Sequence, residues 1–210
     1  TDNQYNPIEL SKEYLKKSTL DNQVSIEQGF NVELYEVSNN LAFIKNFGNI
    51  AVFKNDTTGL LIDTGMGVSS LQVVEKLKEW GISNIEYIIY THGHVDHVTG
   101  TEYILNAFEG TTKVIAHENV TKRFDRYKKT LGWNTAINRR QFAINVPHFN
   151  WPEKYRYPDV TYDKELNFKV GNCSFELFHD RGETDDHTWV FIPERKILAT
   201  GDLFIWAVPN

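Results

Sequence analysis

The most constraining feature of this sequence is an apolar run that ends in a cluster of side chains able to bind metal. The run over residues 87–90 is apolar throughout, which is typical of a strand buried on both faces of a sheet. His92, His94, Asp96 and His97 follow it directly, and they include three of the chain's 7 histidines. Because one residue separates His92 from His94, both imidazoles project to the same side of an extended segment. The sequence therefore predicts a metal site at the end of a buried strand.

The remaining composition limits the ligands and partners that the chain can use. Cys173 is the one cysteine, so an internal disulfide and a thiolate cluster are excluded and a metal must be bound by imidazole and carboxylate groups. The net charge of −6 argues against nucleic acid as the main partner. No apolar run approaches the roughly 18 residues needed to cross a bilayer, and residues 1–30 lack the apolar core of a signal peptide. We therefore expect a cytoplasmic protein that acts on a small molecule, with neither nucleic acid nor a membrane as its partner.

Short apolar runs alternate with turn residues over most of the chain, which predicts an α/β fold rich in strands. Helical periodicity is limited to residues 69–80, 100–108 and 119–131. Residues 132–160 contain aromatic residues and prolines without a clear period, and we predict a long ordered loop there. The predicted strands cover residues 32–37, 41–44, 50–53, 60–63, 87–90, 113–116, 166–170, 174–179, 188–192 and 197–200.

These elements predict one domain, in which a sandwich of β-sheets is covered by helices. Residues 1–30 show one weak helical pattern and are predicted to be an N-terminal extension of a domain over residues 31–210. Because the chain ends in an apolar run over residues 204–208, we expect this domain to be incomplete at its C-terminus. For macromolecular partners we therefore expect either a missing C-terminal segment or a second copy of the chain in a homo-oligomer.

The pattern of residues 92–97 resembles the HxHxDH motif of the metallo-β-lactamase superfamily and matches it in full. Residues 61–65, with the sequence Leu-Ile-Asp-Thr-Gly, resemble the upstream DTG element of that family, and residues 200–202 resemble its late Gly-Asp element. The resemblance covers roughly residues 32–208. It implies an αββα sandwich of two mixed β-sheets flanked by helices, and a hydrolase that uses a dinuclear metal site.

The resemblance also implies a role for each matching residue. The first metal takes His92 and His94, the second takes Asp96 and His97, and Asp202 bridges the two. Asp96 or Asp202 is expected to pass the proton during catalysis. The acid of the DTG element, Asp63, is expected to orient a ligand from behind rather than to bind metal.

One position departs from the family pattern. Glu183 stands where the GHT element of the family normally supplies a third histidine to the first metal. Glu183 can itself be the ligand, as in the alkylsulfatase branch, which is similar in having a carboxylate there; alternatively His187 takes this role. We favour Glu183, because Gly182 and Thr184 keep the register of the element. His179 falls on a position that the family does not use, and we expect it to be structural.

The carboxylate at residue 183 changes the charge of the predicted site. Three carboxylates and a bridging hydroxide would neutralise two divalent ions, whereas the usual histidine leaves a positive charge. Zinc remains the expected metal, with iron or manganese as alternatives that suit oxygen ligands. The family also has a last histidine beyond the Gly-Asp element, and this sequence has no histidine after His187.

A basic and aromatic stretch follows the third predicted helix, and we expect it to contribute to substrate binding. The candidate residues for seating an anionic substrate are Arg139, Arg140, Tyr155 and Tyr157. The expected reaction is hydrolysis of an ester-type bond, in a sulfate ester, a thioester or a lactone. Two alternatives stay open: an iron-dependent redox member of the same fold, and a non-catalytic fragment or interaction module.

Overall fold

The computed structural model describes residues 31–141, 144 and 149–204. The predicted N-terminal extension and the end of the chain lie outside these residues. Within them, two β-sheets face each other and helices pack on the outer face of the larger sheet. This is the helix–sheet–sheet part of the predicted αββα sandwich. None of the helices in this part of the chain is long and apolar enough to cross a membrane.

The larger sheet has seven strands, which are neighbours in the order of the sequence. Strands β1 to β4 form an antiparallel meander, and β4 to β7 run parallel to one another, so this sheet is mixed as predicted. Its strands are β1 (Glu33–Ser38), β2 (Leu41–Lys45), β3 (Ile50–Asn55), β4 (Thr58–Ile62), β5 (Asn84–Ile89), β6 (Lys113–His117) and β7 (Val160–Tyr162).

The smaller sheet has four strands in the order β11, β10, β9 and β8. They are β8 (Glu165–Val170), β9 (Cys173–His179), β10 (Thr188–Ile192) and β11 (Ile197–Ala199). Every pair of neighbours here is antiparallel, so within the described residues this sheet is not mixed.

Five α-helices connect the strands of the larger sheet in the described residues. They are α1 (Ser70–Glu79), α2 (Val95–Val98), α3 (Thr101–Ala107), α4 (Asn119–Lys129) and α5 (Leu131–Gln141). Short 3-10 turns occupy Gly67–Ser69, Pro193–Arg195 and Gly201–Leu203.

The strands alternate their apolar side chains between two cores. On the outer face, Leu61, Ile88 and Val114 pack against buried residues of the helices, among them Val73 of α1 and Phe124 of α4. The inner face supplies the core between the two sheets, which includes Ile62, Ile89, Ile115, Phe175 and Val190. Because neighbours in sequence serve opposite cores, the second half of strand β5, residues 87–89, is apolar at every position, whereas its first half contains Asn84 and Glu86.

The parallel strands bring the predicted site residues to one edge of the larger sheet. Ile62, Ile89 and Ile115 are register partners near the carboxyl ends of β4, β5 and β6. The residues that follow these strands therefore meet at this edge. The smaller sheet is joined to the same edge, because the Thr188 amide donates a hydrogen bond of 2.6 Å to the Thr91 carbonyl.

Residues 132–160 form the predicted loop only in part, because residues 149–159 have no regular secondary structure but the start of the range is helical. Helix α5 covers Leu131–Gln141, and the short strand β7 begins at residue 160. Helix α5 has no buried residue, so its sequence carries no apolar stripe from which a helix is recognised. Strand β7 has only three residues, which is too short for an alternating pattern.

Candidate metal centre

The protonation of His92 is set by a relay of two side chains behind it. The Thr91 hydroxyl lies 2.6 Å from Oδ2 of Asp63, and because a carboxylate only accepts, Thr91 is the donor. The Thr91 oxygen then accepts the Nδ1 hydrogen of His92, at 3.0 Å. The other ring nitrogen of His92, Nε2, therefore keeps its lone pair. Nε2 is buried and has no hydrogen-bond partner among the described residues.

This free lone pair belongs to a group of three potential ligands. Nε2 of His92 lies 3.4 Å from Oε2 of Glu183, and Nδ1 of His94 lies 2.8 Å from the same oxygen. A lone pair and a carboxylate oxygen that face each other repel unless a cation lies between them. The two imidazoles and the carboxylate therefore fit a metal ion, with ligand atoms all within 4.8 Å of one another.

A second group forms around His97 in the same way. Nδ1 of His97 lies 2.7 Å from Oδ2 of Asp63 and donates to it, which orients the ring. Nε2 of His97 then lies 3.4 Å from the nearest oxygen of Asp96 and 3.4 Å from that of Asp202. His92, His97 and Asp202 also form a group of ligand atoms within 4.8 Å, so His92 borders both groups.

Asp63 supports both groups from one buried position. Its Oδ1 accepts the Thr91 amide at 2.7 Å, while its Oδ2 accepts the Thr91 hydroxyl and the His97 ring. Its backbone has a φ of 65°, a left-handed conformation that aspartate tolerates better than most residues. Asp63 contacts His97 directly and His92 through Thr91, and its role in orienting metal ligands stays a prediction.

The electrostatics of the group are those of a cation site. Burial, followed by the nearby His97, lowers the pKa of His92 to about 4, so His92 is neutral at pH 7. Burial alone would lower the pKa of His97, but Asp96 and Asp63 outweigh it and raise this pKa well above its ordinary value. When no other cation is present, a proton on His97 thus balances part of the negative charge of the neighbouring carboxylates.

The acidic members of the two groups are ionised at neutral pH. Contacts with His92 and His94 hold the pKa of Glu183 well below its ordinary range. Burial alone would raise the pKa values of Asp96 and Asp202, but His97 outweighs it in both cases. The pKa of Asp96 falls to about 2, and that of Asp202 is lowered.

His187, the alternative ligand, and His179 belong to neither ligand group. His187 is fully buried, its Nε2 donates to the Thr200 carbonyl at 2.8 Å, and its ring stacks 5.3 Å from that of His92. The structure therefore brings Glu183, and not His187, to His92 and His94. His179 stacks on His117 at 3.6 Å and contacts the His187 carbonyl at 2.8 Å, and its structural role stays a prediction.

The residues predicted to bind the substrate lie on helix α5 or pack against helix α4. Tyr155 and Tyr157 pack against Phe124, and the Tyr157 hydroxyl donates 2.6 Å to Asp125. Arg139 and Arg140 occupy the last turn of α5. Their role in substrate binding stays a prediction.

The sequence patterns did not indicate Thr91. Threonine is common in strands, and its role depends on Asp63, which is 28 residues earlier in the chain. The only available signal was its position, directly before the first histidine of the motif.

Comparisons with known proteins show the family of the chain. The sequence profile described as "Metallo-beta-lactamase superfamily" matches residues 44–205. An uncharacterized protein of Aquifex aeolicus is 24% identical over 171 residues, which cover 77% of this chain and 71% of that protein.

Several solved structures share the fold at low sequence identity. A Cronobacter sakazakii metallo-β-lactamase with a HARLDQ motif has a TM-score of 0.63 and 16% identity, covering 82% of this chain and 63% of that one. The subclass B3 metallo-β-lactamase BJP-1 of Bradyrhizobium japonicum has a TM-score of 0.56 and 18% identity, covering 76% and 56%. The class B3 di-zinc enzyme LRA-12 from an Alaskan soil metagenome has a TM-score of 0.56 and 14% identity, covering 76% and 56%. The chain spans less than two thirds of the length of each of these structures.

Proposed function

The chain belongs to the metallo-β-lactamase superfamily, and from this premise we propose that it is a hydrolase with a dinuclear metal centre. The observation that carries the proposal is that His92 belongs to two groups of potential ligands, one with His94 and Glu183 and one with His97 and Asp202, whose ligand atoms lie within 4.8 Å of one another. The buried Nε2 of His92 has no hydrogen-bond partner among the described residues, and unlike the unpartnered nitrogens of His117 and His187 it belongs to a residue of both ligand groups.

We assign the ligands by the two groups that the side chains form. His92, His94 and Glu183 would hold the first ion, and Asp96 and His97 the second, with Asp202 as the bridge. When bound, two such ions lower the pKa of a water toward about 7 and polarise the bond that is cleaved.

Asp96 and Asp202 are the residues that we assign to proton transfer. Their side chains are 19% and 26% exposed, so each can exchange a proton with solvent. Because His97 lowers both pKa values, both groups are carboxylates at neutral pH and can accept a proton. His97 itself is held by Asp63 and serves to fix the geometry.

The proposed substrate is a small, anionic molecule with an ester-type bond. Glu183 adds a third carboxylate to the ligand set, which would weaken the attraction of the metal centre for an anionic substrate, so other cationic groups must supply part of this attraction. Sulfate esters, thioesters and lactones remain the proposed classes. Arg139 and Arg140, on helix α5, are proposed to attract the anionic group.

Zinc is the proposed metal, and the protein is proposed to act in the cytoplasm. A specific observation favours a second candidate, because His92, His94 and Glu183 form a set of two histidines and one carboxylate. That set is typical of iron(II) sites with redox activity. Elemental analysis of protein purified without added metal separates the candidates, since iron without zinc would support the redox function.

The proposal is tested by metal content and by hydrolysis together. We expect about two zinc ions per wild-type chain, and loss of about one ion in His94→Ala. His179→Ala is the matched control, because it removes a nearby imidazole that belongs to neither ligand group, and its metal content should equal that of the wild type. Equal losses in both variants would contradict the ligand assignment. A metal-loaded protein that cleaves no sulfate ester, thioester or lactone would instead support a non-catalytic module.

A further inference from the structure

A second buried carboxylate, Asp186, connects the two loops that carry the first group of ligands. Asp186 is fully buried, and its Oδ2 accepts the Gly93 amide at 3.0 Å. Its Oδ1 accepts the hydroxyl of Thr184 in a short hydrogen bond. Gly93 lies between His92 and His94, and Thr184 directly follows Glu183. One carboxylate is therefore bonded to a direct neighbour of each of the three ligands.

Helix α4 holds this carboxylate in place. Nε of Arg123 donates to Oδ2 of Asp186 at 2.8 Å, and its Nη2 donates to Oδ1 of Asp185 at 2.7 Å. Burial alone would raise the pKa of Asp186, but the Arg123 guanidinium outweighs it and keeps this pKa below its ordinary value. Asp186 is thus a buried, ionised and fully bonded group.

Gly93 is packed closely against the side chains of Arg123 and Asp186. A β-carbon at this position would lie 2.8 Å from Cδ of Arg123 and 3.0 Å from Oδ2 of Asp186. Any larger residue between the two histidines would push the guanidinium or the carboxylate away. The glycine of the motif therefore has a second use here, since it lets Asp186 reach the backbone of the histidine loop.

We propose that Asp186 is a positioning residue that holds Glu183 at the distance from His92 and His94 at which the three side chains bind the first metal ion. This inference rests on the proposed metal centre. Glu183 lies in the loop between β9 and β10, whereas the histidines follow β5, and the two parts of the chain are about 90 residues apart. Without Asp186, the hydrogen bonds from Thr184 and Gly93 that tie the loops together are lost. The groups around the second ion, at Asp96 and Asp202, make no hydrogen bond to Asp186 in the described part of the chain.

The main test compares Asp186→Asn with Asp185→Asn in the full chain. Both variants remove one carboxylate that is bonded to Arg123, but the side chain of Asp185 is 76% exposed and that of Asp186 is fully buried. Zinc affinity is measured by competition with a chromogenic chelator, which resolves the two binding events. We expect Asp186→Asn to weaken zinc binding at the first ligand group, called the first event below, by about 10- to 100-fold, as for other groups that orient metal ligands. Asp185→Asn should change it by less than about twofold.

Two further measurements separate positioning from a general loss of folding. The electronic spectrum of the cobalt-loaded protein reports the ligand geometry, and it should change in Asp186→Asn and stay unchanged in Asp185→Asn. Thr184→Val removes one bond to Asp186 without leaving Arg123 unpaired, and we expect it to weaken the first event by about three- to tenfold. This milder variant keeps the inference testable if Asp186→Asn does not fold.

The outcomes distinguish this inference from the proposed function. If the wild-type protein binds no zinc, the metal centre itself is wrong. If the wild type binds two ions, and Thr184→Val and Asp186→Asn bind both as tightly as Asp185→Asn does, Asp186 does not position Glu183.

Discussion

Replacing Asp63 by asparagine should disable both ligand groups without moving a single side chain. Asparagine has almost the same shape and tolerates the left-handed backbone at this position, where φ is 65°. The Thr91 amide can only donate, so it keeps the new side-chain oxygen in the place of Oδ1. The side-chain nitrogen must then occupy the place of Oδ2, where it faces the Thr91 hydroxyl and the His97 ring.

Because a hydrogen-bond acceptor is replaced by a donor, neither His92 nor His97 can keep its ring hydrogen on Nδ1. His97 must accept at Nδ1, so the one hydrogen that its ring keeps lies on Nε2, which is the atom that faces Asp96 and Asp202. The Thr91 hydroxyl must turn away from residue 63 and donate to Nδ1 of His92. The hydrogen of His92 then lies on Nε2, opposite Glu183. Both lone pairs on which metal binding depends are lost.

The expected loss is large for so small a change. Loss of one group that orients a metal ligand costs about 10- to 100-fold in affinity, and here one substitution affects a ligand of each ion. We therefore expect each of the two zinc-binding events to weaken by about 10- to 100-fold. The variant should still fold, because the shape of the buried side chain is retained and its oxygen still accepts the Thr91 amide.

The assay combines chelator competition with nitrogen-15 NMR of the histidine rings, which reports the tautomer directly. Asp56→Asn is the matched control, because Asp56 also has a left-handed backbone, with a φ of 53°, but is exposed in the turn between β3 and β4. Wild-type zinc affinity in Asp63→Asn, or unchanged tautomers of His92 and His97, would refute the relay.

Three further predictions address charge, pH and packing. Glu183→His replaces a carboxylate by the neutral ligand of the family pattern, and we expect zinc binding to persist while the pH midpoint of hydrolysis falls by about one unit; a midpoint that stays in place or rises would contradict the charge argument. Because the pKa of His97 is raised, the second zinc ion must displace a proton, so its affinity should fall about tenfold per pH unit below that pKa, with proton release seen by calorimetry in two buffers. Affinity that does not vary with pH would show that His97 is already neutral. Phe124→Ala should lower the free energy of unfolding by about 3–5 kcal/mol, since this ring is fully buried between Tyr90 and Tyr155. Trp133→Ala on the neighbouring helix, where the ring is 68% exposed, should change it by less than about 0.5 kcal/mol in the same denaturation experiment.

The strands were predictable from the sequence because their burial gives a short apolar run or an alternating pattern. Strand β5 lies between parallel neighbours and is apolar on both faces, and the strands of the smaller sheet alternate buried and partly buried residues. Helix α5 has neither an apolar run nor a regular alternation of buried and exposed residues. None of its residues is buried, and Trp133 lies largely in solvent, so its periodicity carries no information about a core.

The proposed ligands come from two kinds of sequence information, a local motif and the longer family pattern. His92, His94, Asp96 and His97 lie in one short motif, and the family pattern supplies the more distant Glu183 and Asp202. The bonds that hold these ligands join residues that are far apart, such as Thr91 with Asp63 and Gly93 with Asp186. No local sequence pattern indicates such bonds, because aspartate and threonine also occur in solvated turns, where they support no site.

Asp63 and Asp186 support the ligands through different physical effects, and the difference is measurable. Asp63 bonds directly to His97 and, through Thr91, to His92, so it determines where their protons lie. Asp186 bonds to the residues beside the ligands and touches no ligand ring, so it determines where the loops lie. Loss of Asp63 should therefore change the histidine tautomers with the distances preserved, whereas loss of Asp186 should change the distances with the tautomers preserved. If both substitutions gave the same NMR pattern, the two carboxylates would form a single support, and the separate roles assigned to them would be wrong.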